Sequence, residues 1–387
     1  MWAFLAVRSL ALEHGRPVAK NRKSPPPVEI SIHLCGPADR EEQVRLHNAC
    51  FKKPIDAPAI AWRYDRSPHG SSVSFQSRLP DGRGVCGYAC SPRNALAQGD
   101  ETTLASLGET GDVMTHPDWR KKGLFSALDR ACMVETKRLG WPAVFGLPNR
   151  RSAPIFLDLG WKKVGTVRPW TFLLRDGDGA RDVRTHEGRL QSWLVPLGVR
   201  KGKAARAKLV DRAGTRFQAR ALDHFPGEVE ALSRSVEKRF ALMVRRDAAW
   251  LDWRFLRSPS GLHRAFGLYD EAGVFAGYAV VQLPRPGSPV GWLVDVLARD
   301  DDALAAAISA GLERLELAGA AVVQAHAVDG SWWCERLQEA GFLPPKASNH
   351  LIVIAWQNDP GHPVAAAALD ARAWYLTDGD RDDETVG

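Results

Sequence analysis

The nine residues Trp62-Arg63-Tyr64-Asp65-Arg66-Ser67-Pro68-His69-Gly70 recur as Trp253-Arg254-Phe255-Leu256-Arg257-Ser258-Pro259-Ser260-Gly261, with six identities and one aromatic exchanged for another. The offset is 191. Gly87-Tyr88-Ala89 then matches Gly277-Tyr278-Ala279 at offset 190, and Gly160-Trp161 matches Gly341-Phe342 at offset 181. One deletion of about nine residues in the second copy, after the Gly-Tyr-Ala match, reconciles the offsets (190 − 181 = 9). A chain that contains itself twice is two copies of one unit, and 387 residues is enough for two or three units of roughly 150. The copies are expected over 28–176 and 209–357. An unstructured extension over 1–27 precedes them, a basic linker over 177–208 joins them, and an acidic tail over 358–387 follows.

Each copy has the means to bury a core. Apolar residues make up 45% and charged residues 25% of the chain, which excludes collagen-like, disordered and disulfide-scaffold classes. The net charge of +7 favours anionic partners without indicating nucleic acid. The six cysteines form no C-x-x-C pair and no zinc-type spacing with histidine, so a metal-free protein of the reducing cytoplasm is expected. No apolar run approaches the roughly 20 residues that span a bilayer.

Within the first copy, Ser72 to Ser77 and Val85 to Cys90 alternate around Asp81-Gly82 and read as a hairpin. That turn also explains the G-x-G-x-x-G of Gly82 to Gly87, which precedes a strand and not a helix. Leu104 to Thr115 reads as a strand, and Lys121 to Arg138 as a helix with Leu124, Ala127, Leu128, Ala131 and Val134 on one face. Pro142 to Leu147 is a short strand, Ser152 to Leu159 a short helix, and Lys162 to Leu174 two strand-like runs. The second copy repeats the order, with Leu304 to Leu317 as its long helix. The fold class is α/β (α+β): two tandem units, each a mixed, mostly antiparallel twisted sheet flanked by helices.

Between strand and long helix stands Val113-Met114-Thr115-His116-Pro117-Asp118-Trp119-Arg120-Lys121-Lys122-Gly123-Leu124-Phe125. A helix start presents free N–H groups and a partial positive charge, so a diphosphate can sit there without a metal. Gly123 permits close approach of the backbone, and Arg120, Lys121 and Lys122 add charge. At these residues the sequence resembles the GNAT superfamily of acyl-CoA-dependent N-acyltransferases, whose phosphate loop reads Arg/Gln-x-x-Gly-x-Gly/Ala. Arg120 and Gly123 match its first and fourth positions, while Phe125 departs at the sixth. Asn149, Ser152 and Leu159-Gly160-Trp161 resemble later motifs of the same family.

The resemblance implies that Val113, Met114, Thr115, Arg120, Lys121, Lys122, Gly123, Leu124, Phe125, Asn149 and Ser152 bind the cosubstrate, acetyl-CoA or another short acyl-CoA. It also implies transfer to a small-molecule primary amine, with an amino sugar favoured. The general base is expected at Glu109, eleven residues before Arg120, with Asp112 as runner-up. A backbone N–H near Met114 or Thr115 polarises the thioester carbonyl. Where the family often carries a proton-donating tyrosine stands Phe156, which leaves Ser152, a water or direct departure of the thiolate for that step.

In the second copy the same alignment puts Asp301 on Arg120 and Leu304 on Gly123, inside Arg299-Asp300-Asp301-Asp302-Ala303. Carboxylates repel a diphosphate, so this copy is expected to be a degenerate partner. The tail residues Asp378 to Glu384 are expected near the substrate mouth, attracting a cationic amine. Two alternatives stand beside the enzyme: a non-catalytic CoA-binding scaffold, and a peripheral protein whose basic linker, with Trp193 and Leu194, docks on anionic lipid. The oligomeric state is left open.

Overall fold

The computed structural model describes residues 29–99, 101–176, 184–185, 188–189, 195–344 and 350–381. The extension expected over 1–27 lies outside them, as do Trp193, Leu194 and the last acidic residues, Asp382 to Glu384. The first half runs β1 (Ser31–Leu34), α1 (Arg40–Cys50), α2 (Ala57–Asp65), β2 (Val73–Arg78), β3 (Gly84–Ala97) and β4 (Thr103–Thr115). It continues with α3 (Leu124–Arg138), β5 (Ala143–Gly146), α4 (Ala153–Asp158) and β6 (Lys162–Leu173). The second half runs α5 (Val195–Ala213), β7 (Phe217–Leu222), α6 (Glu228–Val236), β8 (Leu242–Val244), α7 (Ala248–Leu251), β9 (His263–Asp270) and β10 (Phe275–Gln282). It ends with β11 (Val290–Ala298), α8 (Asp301–Leu317), β12 (Val322–Val328), α9 (Trp332–Glu339), β13 (Leu351–Gln357), α10 (Pro363–Ala367) and β14 (Trp374–Tyr375).

Both halves share one sheet, in the order β1-β2-β3-β4-β5-β13-β6-β12-β11-β10-β9-β7, with β8 bridging β3 and β14. The halves exchange their last strands. β13, from the second half, pairs with β5, and β6, from the first half, pairs with β12. Val167 is the pivot, opposite Leu351 on one side and Val328 on the other. The two runs expected over Lys162 to Leu174 are therefore one strand, continuous because its two ends find different partners. The division at 176 and 209 is a division of sequence that the sheet crosses.

The repeated motif explains how the halves meet. Asp56 and Asp247, also 191 apart, cap α2 and α7 by accepting from Ala59 N and Trp250 N. These two short helices bring Trp62 and Trp253 into a stack at 4.7 Å. Each indole N–H donates to the other's carbonyl, at 3.2 and 3.1 Å, the reciprocity of a two-fold contact. Trp62→Ala and Trp253→Ala should each cost about 3–5 kcal/mol. Because they share one contact, urea denaturation of the double variant should show less than the sum.

The Gly-Tyr-Ala match does not survive. The Tyr88 hydroxyl donates to Asp129 in α3, whereas Tyr278 donates to Asp295 and its ring meets Phe225, just ahead of α6. The tyrosines lie on opposite faces because offset 190 is one residue out of step with 191, and a one-residue slip in a strand reverses every side chain.

The described part of the expected basic linker holds a short antiparallel pair, Arg184–Thr185 with Gly188–Arg189, and from Val195 the packed helix α5. Gly202 sits so close to β6 that a Cβ there would lie 2.7 Å from the carbonyl oxygen of Leu173. Part of the helix charge is met by α8, through Arg206 with Glu316 and Arg212 with Asp301 and Asp302. The tail is likewise folded in: Asp378 and Asp380 are fully buried among cations and cannot attract a substrate from solvent. Among the described residues no helix is long and apolar enough to cross a membrane.

Candidate active site

β4 pairs in parallel with β5 only from Leu107–Ala143 to Thr110–Gly146, then runs on to Thr115 as β5 ends. The parting exposes main-chain groups of β4 to any ligand between the strands. A bulge against β3, between the pairs Gly87–Met114 and Ala89–Gly111, turns the strand there. Asp112 occupies the bulge with φ +49°, a conformation rare outside glycine and tolerated by aspartate.

Beyond Thr115 comes the loop. Pro117–Trp119 forms a single 3-10 turn, Arg120 Nε donates to Thr115 O, and the Lys122 ammonium lies 4.4 Å over the Trp119 ring. Lys121 and Gly123 are both left-handed, at φ +61° and +74°. The helix therefore begins at Leu124 and not at Lys121, with Gly123 as an N-cap that provides no side-chain acceptor. Its first N–H groups have no side-chain cap and lie beside the exposed Arg120, Lys121 and Lys122. Phe125 turns inward, 5.1 Å from Phe156 and tilted against Tyr88, so its bulk lies in the core and not in the loop.

In the second half the corresponding helix, α8, follows its strand after two residues, where the first half has eight, 116–123. Asp300 caps it, accepting from Asp302 N at 3.1 Å and Ala303 N at 2.8 Å. A carboxylate of the chain thus holds the place an anion would take.

The two candidate bases differ in setting. Glu109 is buried, opposite Ser91 on β3 and Phe145 on β5, and ion-paired with Arg93, whose guanidinium lies 6.0 Å over the Trp253 ring of the second half. Asp112 lines a narrow crevice of about 10 Å³, room for about one water, with Gln43, His47, Tyr64, Gln76 and Met114; Glu109 is not part of that lining. Arg63 Nη1 contacts both Asp112 oxygens at 2.5 Å and the Tyr64 hydroxyl donates at 2.7 Å. Burial by itself would raise this carboxyl, but Arg63 and Tyr64 outweigh it and hold it below the ordinary carboxylate range. Burial and the Asp112 charge push the Tyr64 phenol well above its usual value.

Arg63, Tyr64, His47 and Gln43 were absent from the sequence reading of the site. The first two stood in the repeated motif, where a shared role looked structural. Only the first copy makes this use of them: Arg254 donates instead to the carbonyls of Gly379 and Arg381. Asn149 Oδ1 accepts from Arg151 N and Ser152 N, and Ser152 Oγ donates to Asn149 O, which fixes the turn between β5 and α4. Within α3, burial raises the Asp129 carboxyl to about 6 against the pull of the Tyr88 and Trp161 donors. One trio among the described residues, His33, Cys35 and Asp39, brings potential metal donors within 4.8 Å. Asp39 there already accepts from Arg78 and from Gly36 N.

Residues 31–164 match the family model of the acetyltransferase (GNAT) domain. No curated protein matches the chain in sequence. Among solved structures, it is similar to a conserved protein of unknown function from Enterococcus faecalis V583, a probable N-acyltransferase, at 14% identity over 85% of this chain and 73% of that one, TM-score 0.59. It is similar to Saccharomyces cerevisiae N-myristoyltransferase with bound myristoyl-CoA, at 12% identity over 87% and 81%, TM-score 0.56. A tandem GNAT protein from the clavulanic acid biosynthesis pathway matches at 14% identity over 86% of this chain and 100% of its own, TM-score 0.51. At such identities the likeness is one of fold.

Proposed function

We propose, from the premise that residues 31–164 are a GNAT acetyltransferase domain, that the protein moves an acetyl or short acyl group from acyl-CoA to a small primary amine. The observation that carries this reading is the uncapped start of α3 beside three exposed cations, set against the self-capped start of α8. In this reading Arg120, Lys121, Lys122, Gly123, Leu124 and Phe125 hold the diphosphate, and Val113 to Thr115 offer main-chain groups to the arm that bears the thioester. An N–H near Met114 or Thr115 stabilises the oxyanion. Asn149 and Ser152 border the gap at the end of β5, where the Ser152 hydroxyl assists a leaving thiolate of pKa about 8.5, a small demand. The acceptor meets the chain at the mouth of the crevice beside α1 and α2, which itself holds about one water. The family resemblance suggests an amino sugar.

The geometry favours Asp112 over Glu109 for contact with the amine. A carboxylate held ionised by Arg63 attracts the ammonium and orients it, and the proton that the amine must lose before it attacks the thioester carbonyl passes through a water beside Asp112 to solvent. Asp112→Asn should lower kcat/KM by about 10²- to 10⁴-fold, the usual value of a positioned acid–base group. Glu109→Gln should act mainly on stability, by leaving Arg93 buried without its counter-charge. Full turnover in Asp112→Asn with loss in Glu109→Gln returns the base to Glu109. The reading as a whole is tested by screening amines for thiol release from acetyl-, propionyl- and succinyl-CoA, and by calorimetry, where one CoA per chain is expected. Binding without thiol release from any amine would favour a scaffold. Two equivalent sites would remove the asymmetry between the halves.

A further inference from the structure

The second half has its own parted strands. β11 pairs with β12 only from Val290–Val322 to Trp292–Gln324, and β11 then runs on to Ala298. Main-chain groups along such a gap need partners from elsewhere. They find them in residues 374–381. The Tyr375 hydroxyl donates to Val296 O on β11, while the Asp378 carboxylate accepts from His326 N on β12 at 2.8 Å and pairs with the same residue's ring at 2.7 Å. One short segment therefore hydrogen-bonds the backbones of both strands.

Side chains fix its register. Thr377 donates to Asp295 of β11 at 2.6 Å. Arg246 lies between Asp295 and Asp380, at 3.2 and 2.7 Å, and all three side chains are 0% exposed. The segment is also held at its start, where Trp374 and Tyr375 pair in parallel with Leu242 and Met243 of β8, itself paired with β3 of the first half.

We propose that the gap between β11 and β12 is a peptide-binding site whose ligand is the chain's own residues 374–381. The class of ligand is an acidic peptide with a strand-like start, Trp374–Tyr375, and a 3-10 turn over Asp378–Asp380. A hydroxyl at its aromatic residue meets one strand, a carboxylate three residues later meets the other, and a second carboxylate two residues beyond answers a buried guanidinium. The site holds whether or not the first half transfers acyl groups, because none of its contacts involves the α3 loop or the Asp112 cleft.

Hydrogen exchange on the full-length protein tests it. Asp378→Ala should speed exchange at residues 322–328 about tenfold, the factor given by about 1.4 kcal/mol. A synthetic peptide of residues 374–387, added in excess, should restore protection there and leave the wild-type chain unchanged. Asp378→Asn, which keeps an acceptor for His326 N, should lose less. Should Asp378→Ala fail to fold, Tyr375→Phe reads the other strand, with faster exchange expected at 293–298. Unchanged exchange along both strands, or a peptide that restores no protection to Asp378→Ala, overturns the proposal.

Discussion

Gly123→Glu should weaken acetyl-CoA binding by a hundredfold or more while the fold persists. Two effects separate. Gly123 has φ +74°, and a residue with a Cβ pays about 1–2 kcal/mol there, a cost to stability that the free and the bound protein share. The new carboxylate would stand where the diphosphate is proposed to sit, and two like charges about 4 Å apart repel by about 4 kcal/mol in surroundings of intermediate polarity. That repulsion alone exceeds the roughly 2.7 kcal/mol that a hundredfold requires. Gly123→Ala tells the two apart: no atom lies within 4 Å of a Cβ built there, so it adds strain without a clash or charge. It should lower stability by about 1–2 kcal/mol and leave CoA affinity nearly unchanged. Leu304→Ala, in the first turn of α8, should leave CoA affinity unchanged although it thins a buried core position. Isothermal titration of the three variants decides the matter; an unaffected Gly123→Glu would move the anion site away from α3.

What the sequence disclosed and what it concealed follow from the range of the interactions. The loop from Arg120 to Gly123 was legible because its parts are consecutive and its chemistry belongs to a strand end and a helix start. The repeat was legible at Trp62 and Trp253, and the structure extends it to the caps Asp56 and Asp247. The environment of Asp112 was concealed because Arg63 and Tyr64 are 49 and 48 residues away, and a bulge that no local pattern marks presents the carboxylate to them. The strand exchange was concealed for a similar reason. β6 and β13 read as ordinary strands, and nothing in alternation states which neighbour a strand will choose. The acidic run from Asp378 to Glu384 was expected at the substrate mouth because its charge suits a cationic amine, but its described aspartates, Asp378 and Asp380, are buried against cations of the fold. Here Asp380 meets a guanidinium 134 residues earlier.

That same guanidinium carries an expected effect on stability as large as that of either tryptophan of the stacked pair. Arg246→Ala should destabilise the protein by about 3–5 kcal/mol, the cost of breaking a buried ion pair from one side. Arg246 lies 4.9 Å under the Trp250 ring and 5.0 Å under the Tyr375 ring, with Asp295 and Asp380 on its donors and no solvent access to any of the three side chains. Removing it leaves two carboxylates in an apolar setting without the positive charge that compensates their desolvation. Arg246→Met keeps most of the volume between the two rings, so a loss as large as that of Arg246→Ala would assign the effect to charge and not to packing. Neutralising the partners should then recover stability: in Arg246→Met combined with Asp295→Asn and Asp380→Asn, no uncompensated ion remains, and such replacements are often close to neutral. Denaturant unfolding of the series measures each step. An Arg246→Ala cost below about 1 kcal/mol, or a triple variant no more stable than Arg246→Met, would mean that the cluster does not hold the C-terminal segment by charge.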